Sequence, residues 1–295
     1  MFKIIKQEEP LLASSVNILI YGEAGVGKTS LAFTARNPIL LDFDDGSYRS
    51  GYRKDCLTIG EFTDIKSNLK EFVENLKNYD TIIIDTVGSM QDSIKNYLLQ
   101  TDPSLASKRK SFDLWSAMLN ETMDFFKLIK GQKRNMILIA HVQEKVKGDD
   151  IIKRPVIAGQ SKDQIYRYMD YIGYMYFRNS KRELTFSPKD DSTEGKNTSN
   201  YPDILISNSM PNNFFEIEIS KMLDNVNLQN ANNHLALKEI HKYKDEFSKL
   251  ETAEQFNETI PLLKQTMNKN IIWELLKERA KEVNLNYDIK EKVFK

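Results

Sequence analysis

Gly22-Glu23-Ala24-Gly25-Val26-Gly27-Lys28-Thr29-Ser30 fits the pattern G-x-x-x-x-G-K-[ST], and its flanks decide how it is read. Before it, Val16-Asn17-Ile18-Leu19-Ile20-Tyr21 is a short apolar run of the kind that forms a buried parallel strand. After it, the residues from Lys28 to Arg36 are helical and stop ahead of Pro38. A glycine-rich turn between a buried strand and a helix is the phosphate-binding P-loop. Its glycines let backbone N–H groups curl around phosphate oxygens, while the helix N-terminus adds its positive dipole end. Lys28 is then expected at the β- and γ-phosphates of ATP, and Thr29 on Mg²⁺.

The pattern continues on the C-terminal side. Ile39-Leu40-Leu41-Asp42-Phe43, Thr81-Ile82-Ile83-Ile84-Asp85 and Asn135-Met136-Ile137-Leu138-Ile139-Ala140-His141 read as further buried strands. Helical periodicity separates them: Thr63 as N-cap before Ile65, Leu69, Phe72, Val73 and Leu76, then a helix from Phe112 to Lys130. Repeated crossovers predict an α/β fold with a mostly parallel sheet flanked by helices. Tyr171 to Phe177 and Glu183 to Phe186 suggest strands at an antiparallel edge, and Pro188 to Pro202 encloses a polar, mobile loop. Past about Phe215 the chain turns helical, with a capping box at Thr252 and Gln255 and an apolar face of Ile271, Ile272, Leu275 and Leu276. The expected division is a P-loop domain over residues 1–210 and a C-terminal helical module over 211–295.

Composition excludes several classes. Of 295 residues 40% are hydrophobic and 28% charged, which suits a packed core, and the 42 basic residues balance the 42 acidic ones, so no global field draws the chain to nucleic acid. Any DNA contact must be local. One cysteine, Cys56, makes no intrachain disulfide, and beside three histidines it assembles no zinc cluster. These features predict a cytoplasmic protein with no membrane association.

Asp85, at the end of its apolar strand, is the expected second Mg²⁺ ligand. Thr86 follows it, where many P-loop ATPases carry a water-polarising glutamate. That carboxylate must come from elsewhere, and Asp42, Asp44 and Asp45 close the second strand at the edge where ligands collect in such sheets. Across residues 144–182 nine basic residues stand against five acidic ones, with Tyr166, Tyr168 and Tyr171 interleaved. Lys153, Arg154 and Lys162 are candidates there for a single-stranded DNA-binding loop.

The order of these motifs, through Ile82-Ile83-Ile84-Asp85-Thr86-Val87-Gly88-Ser89-Met90 and a strand ending in a polar residue, resembles the RecA recombinase core. Over roughly residues 14–208 it is similar to phage-encoded RecA-core ATPases that assist single-strand annealing and recombination. The resemblance implies that Asp44, in the Asp42-Phe43-Asp44 pattern, activates water in place of a glutamate. It places His141 or Gln143 as γ-phosphate sensor. It likens Lys196, in Gly195-Lys196-Asn197-Thr198, to a basic residue reaching a neighbouring subunit's site. It also implies ATP and Mg²⁺ as cofactors, a homo-oligomeric ring or filament, and single-stranded DNA as partner with a single-strand-binding protein alongside.

Other classes compete. A GTPase would need N-K-x-D, and Asn268-Lys269-Asn270-Ile271 fails at its fourth position; a transporter ATPase would carry L-S-G-G-Q, which is absent. An ATP-binding interaction module with little turnover, and a P-loop enzyme acting on a small acceptor, remain as alternatives.

Overall fold

The computed structural model describes Ile5 and residues 9–147, 150–159, 161–187 and 192–295. The sheet-forming part begins with β1 (Asn17–Gly22), α1 (Lys28–Ala32), β2 (Pro38–Asp42) and β3 (Asp55–Thr58). It continues with α2 (Phe62–Ser67), α3 (Leu69–Leu76), β4 (Thr81–Asp85), α4 (Val87–Thr101) and α5 (Ser111–Gly131). Then come β5 (Asn135–Lys147), β6 (Asp150–Pro155), α6 (Ser161–Tyr168), β7 (Tyr171–Arg178), β8 (Lys181–Thr185), β9 (Lys196–Asn197) and β10 (Ile204–Ile206). The C-terminal part holds α7 (Phe214–Phe247), α8 (Ala253–Thr259), α9 (Lys269–Glu282) and the short pair β11 (Tyr287–Asp288) and β12 (Val293–Phe294).

The main sheet runs β10-β8-β7-β1-β5-β4-β2-β3. From β3 across to β7 every pairing is parallel, and only β6, β8, β9 and β10 pair antiparallel. Alternation along each central strand divides the core in two. Leu19, Tyr21, Leu41, Ile82, Ile84 and Leu138 face one layer with helices such as α5, whose Phe126 is fully buried. Ile18, Ile20, Leu40, Ile83, Ile137 and Ile139 face the other, where Leu31 and Phe33 pack with Phe215 and Met222 of α7. Burial on both faces explains why these strands read as unbroken apolar runs.

Four expectations need correction. The helix expected with Thr63 as its N-cap is capped two residues earlier, by Glu61 with a reciprocal Asp64 bond, and breaks at Asn68 into α2 and α3. Tyr171 to Arg178 pairs parallel with β1, so the antiparallel edge begins one strand later, at β8. The polar continuation after His141 is a hairpin, Val142 pairing Pro155 and Lys147 pairing Asp150. In the expected mobile loop, residues 188–191 lie outside the described residues. Beyond them the chain is anchored: Lys153 N–H donates to Ser192 O at 2.8 Å and Glu194 N–H to Lys153 O at 3.0 Å.

Two compact units are present, Ala13–Val226 and Met1–Leu12 with Asn227–Lys295, and the division falls inside α7. In the second, Trp273 meets Tyr287 edge-on at 4.8 Å, Phe256 and Phe294 fill the centre, and the Thr252/Gln255 capping box opens α8. Among the described residues no helix is long and apolar enough to cross a membrane.

Gly22 is where β1 and β7 approach most tightly: a Cβ there would lie 2.2 Å from the Met175 carbonyl oxygen. A backbone atom of a paired strand cannot swing aside as a side chain can. Gly22→Ala is expected to lower unfolding free energy by about 1–3 kcal/mol, as overpacking does. A urea midpoint equal to the wild type would show that the strands part freely.

Candidate active site

The site is built at the C-terminal edge of the parallel strands. Gly22 leads from β1 into a loop in which Gly25 and Gly27 adopt φ of 77° and 98°, the left-handed region that glycine tolerates, and α1 starts at Lys28. A cleft of about 480 Å³ opens against this loop. Ala24, Gly25, Gly27, Lys28, Thr29 and Ser30 line one wall, and Asp44, Gly46, Arg49 and Ser50 from the turn after β2 line another. Asp85, Thr86 and His141 complete it from the ends of β4 and β5. Val26, by contrast, is core, and Glu23 contributes its backbone.

Lys28 is buried, and its ammonium donates to Gly22 O and Glu23 O, each at 2.9 Å. Burial lowers its pKa, while the carboxylates of Asp85, Glu23 and Asp44 pull the other way. Thr29 Oγ1 donates to Asp85 Oδ2 at 2.6 Å. Burial raises the Asp85 pKa, and the Thr29 hydrogen bond and the Lys28 charge oppose that rise. These two adjoining hard oxygens are suitable Mg²⁺ ligands, and no cluster of three or more His, Cys, Asp or Glu metal ligands occurs among the described residues. That donor set fits an ion carried by phosphates and water, the usual preference of Mg²⁺, and does not fit a metal centre built from protein alone.

The three acids after β2 have separate surroundings. Asp42 is fully buried, and its carboxylate accepts the backbone N–H groups of Asp44, Gly46 and Ser47 at 3.0–3.2 Å. The Cys56 thiol also points to it, at 3.9 Å. Asp42 thus shapes the turn. Asp45, at φ 48°, is exposed on it. Asp44 is the one of the three that lines the cleft, accepting Ser89 Oγ–H at 3.2 Å. Ser89 in turn leans on Thr86, which caps α4 by accepting the Ser89 N–H at 3.2 Å. The residue found in place of the glutamate therefore serves as a helix cap that helps hold Asp44.

Other candidates are placed away from the cleft. Gln143 sits in the β5–β6 hairpin and donates to Pro155 O at 3.2 Å. Lys196 is no free loop lysine: it belongs to β9, and its ammonium donates to Tyr166 O and Met169 O at 3.0 and 2.6 Å, capping the C-terminal end of α6. Lys153, Arg154 and Lys162 share no loop. The first two lie in β6, Lys153 bonding Tyr174 Oη at 3.3 Å. Lys162 lies in α6 and pairs with Glu194 at 2.7 Å, and Glu194 also accepts the Tyr166 hydroxyl.

Arg49 has no signal in the sequence, and Arg182, one of the nine basic residues of segment 144–182, lies elsewhere than a DNA-binding loop would put it. Arg49 lines the cleft, and Arg182 of β8 packs on the P-loop so closely that a Cβ at Gly27 would lie 2.7 Å from its Nη1. Only the strand order brings Arg182 there. Arg49 lies seven positions after Asp42 in a turn whose folding is governed by that acid, a link that spacing alone does not reveal.

The chain is similar to several known proteins. The family model described as AAA domain matches residues 14–199. An uncharacterized SPbeta prophage-derived protein of Bacillus subtilis (strain 168), YorG, is 29% identical over 153 residues, 48% of this chain and 47% of that protein. The chain thus spans about half the length of that curated relative. The crystal structure of the RadB recombinase aligns over 59% of this chain and 80% of its own, with 12% identity and a TM-score of 0.35.

The surroundings of Asp42 carry a pH signature. Burial alone would raise its pKa, but the hydrogen bonds from Ser47, Gly46 and Asp44 outweigh it and hold the pKa below the ordinary value of 3.8. A folded pKa below the unfolded one stabilises the protein above the unfolded pKa, and that contribution disappears as pH falls through the folded value. Asp42→Asn should cost about 1–3 kcal/mol near neutral pH. Its difference from the wild type should shrink below about pH 4, as read from urea midpoints over a pH series; a pH-independent difference would deny the charge any part.

Proposed function

We propose that this chain, which belongs to the AAA-domain family of P-loop ATPases, binds ATP with Mg²⁺ in the cleft and hydrolyses it. The observation that carries the reading is the meeting of Lys28, Thr29, Asp85 and Asp44 in one cleft, with Thr29 and Asp85 2.6 Å apart. Lys28 leaves the loop carbonyls for the β- and γ-phosphates, where anionic oxygens replace neutral ones. Thr29 and Asp85 would hold Mg²⁺, which when bound would supply charge neutralisation to the phosphates. Asp44 orients a water whose oxygen bonds the γ-phosphorus as the bond to the β,γ-bridging oxygen breaks. The water's proton passes to the Asp44 carboxylate and then to the released phosphate, leaving ADP. His141, which lines the cleft from the strand beside the start of the P-loop, would contact the γ-phosphate.

Lys28→Ala should lose both nucleotide binding and turnover. Asp85→Asn should lose Mg²⁺-dependent turnover, and Asp44→Asn should keep binding while turnover falls by about 10²–10⁴-fold, the range for a general base. Steady-state ATPase assays paired with equilibrium binding check all three. Normal hydrolysis by Asp44→Asn would pass the water to another group, and binding by the wild type without turnover would favour the interaction-module reading.

Single-stranded DNA as partner is a second reading, and one surface favours it. Lys108, Arg109 and Lys110 are exposed in the segment leading into α5, directly before Phe112 and Trp115, which are 76% and 46% exposed. Cations interleaved with free aromatic faces are what stacked bases and phosphates need. Their triple alanine variant should bind a labelled oligonucleotide more weakly, with a salt slope flatter by about 2. Trp115→Ala should lose about 1–3 kcal/mol of binding. Anisotropy titrations at two or more salt concentrations test this, and unchanged slopes would remove the surface from any DNA site.

A further inference from the structure

The turn after β2 carries a cation with no assigned task. Arg49 closes the helical turn Ser47–Arg49 and is the one arginine that lines the cleft among the described residues. Its Nη2 stands 3.8 Å from Asp44 Oδ2, its Nε donates to Gly46 O at 3.4 Å, and its side chain is 61% exposed. Both contacts are long, the guanidinium otherwise lies over the Tyr48 ring at 5.3 Å, and an exposed ion pair of this kind is weakly held. Room for this position exists because residue 46 is glycine: a Cβ there would lie 2.5 Å from Arg49 Nη2.

The backbone beneath Arg49 is fixed, in contrast to its side chain. Asp42 holds the N–H groups of residues 44, 46 and 47, and Ser50 Oγ lies 3.0 Å from Ser30 Oγ in α1. A short, anchored turn therefore presents a long, loosely tethered guanidinium beside the P-loop. The other cations near the nucleotide loop are differently placed. Lys28 arises from the loop itself, Lys196 caps α6, and Arg182 is not among the residues that line the cleft.

We propose that Arg49 is a second cation, beside Lys28, that this same chain supplies to the terminal phosphate of bound ATP, and that its contact with Asp44 is the resting position it leaves. The inference rests on the ATPase reading of the cleft. A guanidinium matches phosphate oxygens through paired N–H donors, and a terminal phosphate offers more negative charge than one carboxylate. ADP lacks that phosphate, so with ADP bound Arg49 stays on Asp44. With ATP bound it departs, and the Asp44 carboxylate loses its cation just where a water proton has to be accepted. Arg49 would thus both distinguish ATP from ADP and release the base.

Arg49→Ala is tested for binding of ADP and of the β,γ-imido analogue of ATP, both with Mg²⁺, and for ATP turnover. The expected result is analogue binding weakened about 10-fold or more, ADP binding unchanged within about 2-fold, and turnover lowered about 10²-fold or more. Arg49→Lys, which keeps the charge, should recover part of the analogue affinity. Thermal melting should match the wild type, since the side chain is exposed. Equal losses for both nucleotides, or for neither, would overturn the inference. So would turnover regained on mixing Arg49→Ala with Lys28→Ala, because an arginine acting within its own chain cannot restore a neighbour's site. Wild-type protein that binds neither nucleotide would overturn the ATPase reading and this inference with it, whereas normal wild-type turnover matched by Arg49→Ala would overturn this inference alone.

Discussion

Parallel backbone hydrogen bonding sets β1, β5, β4 and β2 in one register, with Gly22 opposite His141, Asp85 opposite Ile139, and Asp42 opposite Asp85. Because the strands run the same way, the last residues of β1, β4 and β2 share one edge of the sheet, past which β5 continues. β5 lies between β1 and β4, which places those two strands roughly 10 Å apart. The P-loop bridges that interval, bringing Thr29 from the end of one strand onto Asp85 at the end of another. A slip of one residue in any of these pairings would turn each buried side chain of the strand to the opposite layer, so the core and the site are fixed by the same constraint.

At that edge three carboxylates stand close together, and their environments make them different. Asp42 is taken up by backbone N–H groups, Asp85 is buried against a hydroxyl, and Asp44 is half-exposed with only long or weak partners. The order runs from the most satisfied to the least, which parallels the proposed division into a structural acid, a ligand and a reactive group. The equal totals of acidic and basic residues in the chain hide this arrangement, because the field that acts on a phosphate is set by the few charges lining the cleft.

The central strands and the P-loop were legible because each is a local pattern: an apolar run of five or six residues, or a glycine spacing with one backbone geometry. What escaped was whatever depends on pairing. β3 is half-exposed at the sheet edge and reads as Asp55-Cys56-Leu57-Thr58, with too few apolar residues to signal a strand. The hairpin of β5 and β6 looked like a loop because its strands extend past the body of the sheet and carry charges on both faces. Lys162 and Lys196 looked available because sequence shows a lysine's charge but not the partner, and their partners, Glu194 and the carbonyls of Tyr166 and Met169, lie about 30 residues away. Among the three acids after β2, composition could not separate the one that caps its own turn from the one that faces the cleft.

The carboxylate that shapes the turn also acts on the chain's one thiol. Burial raises the pKa of the Cys56 thiol, the Ser47 hydrogen bond and Arg53 draw it down, and the negative charge of Asp42, toward which it points, adds to the rise. Oxidants and alkylating reagents attack the thiolate, so Cys56 is kept in its unreactive form at neutral pH. The folded turn therefore keeps its own thiol quiet, and a thiol-directed reagent becomes a reporter of whether that turn has come apart.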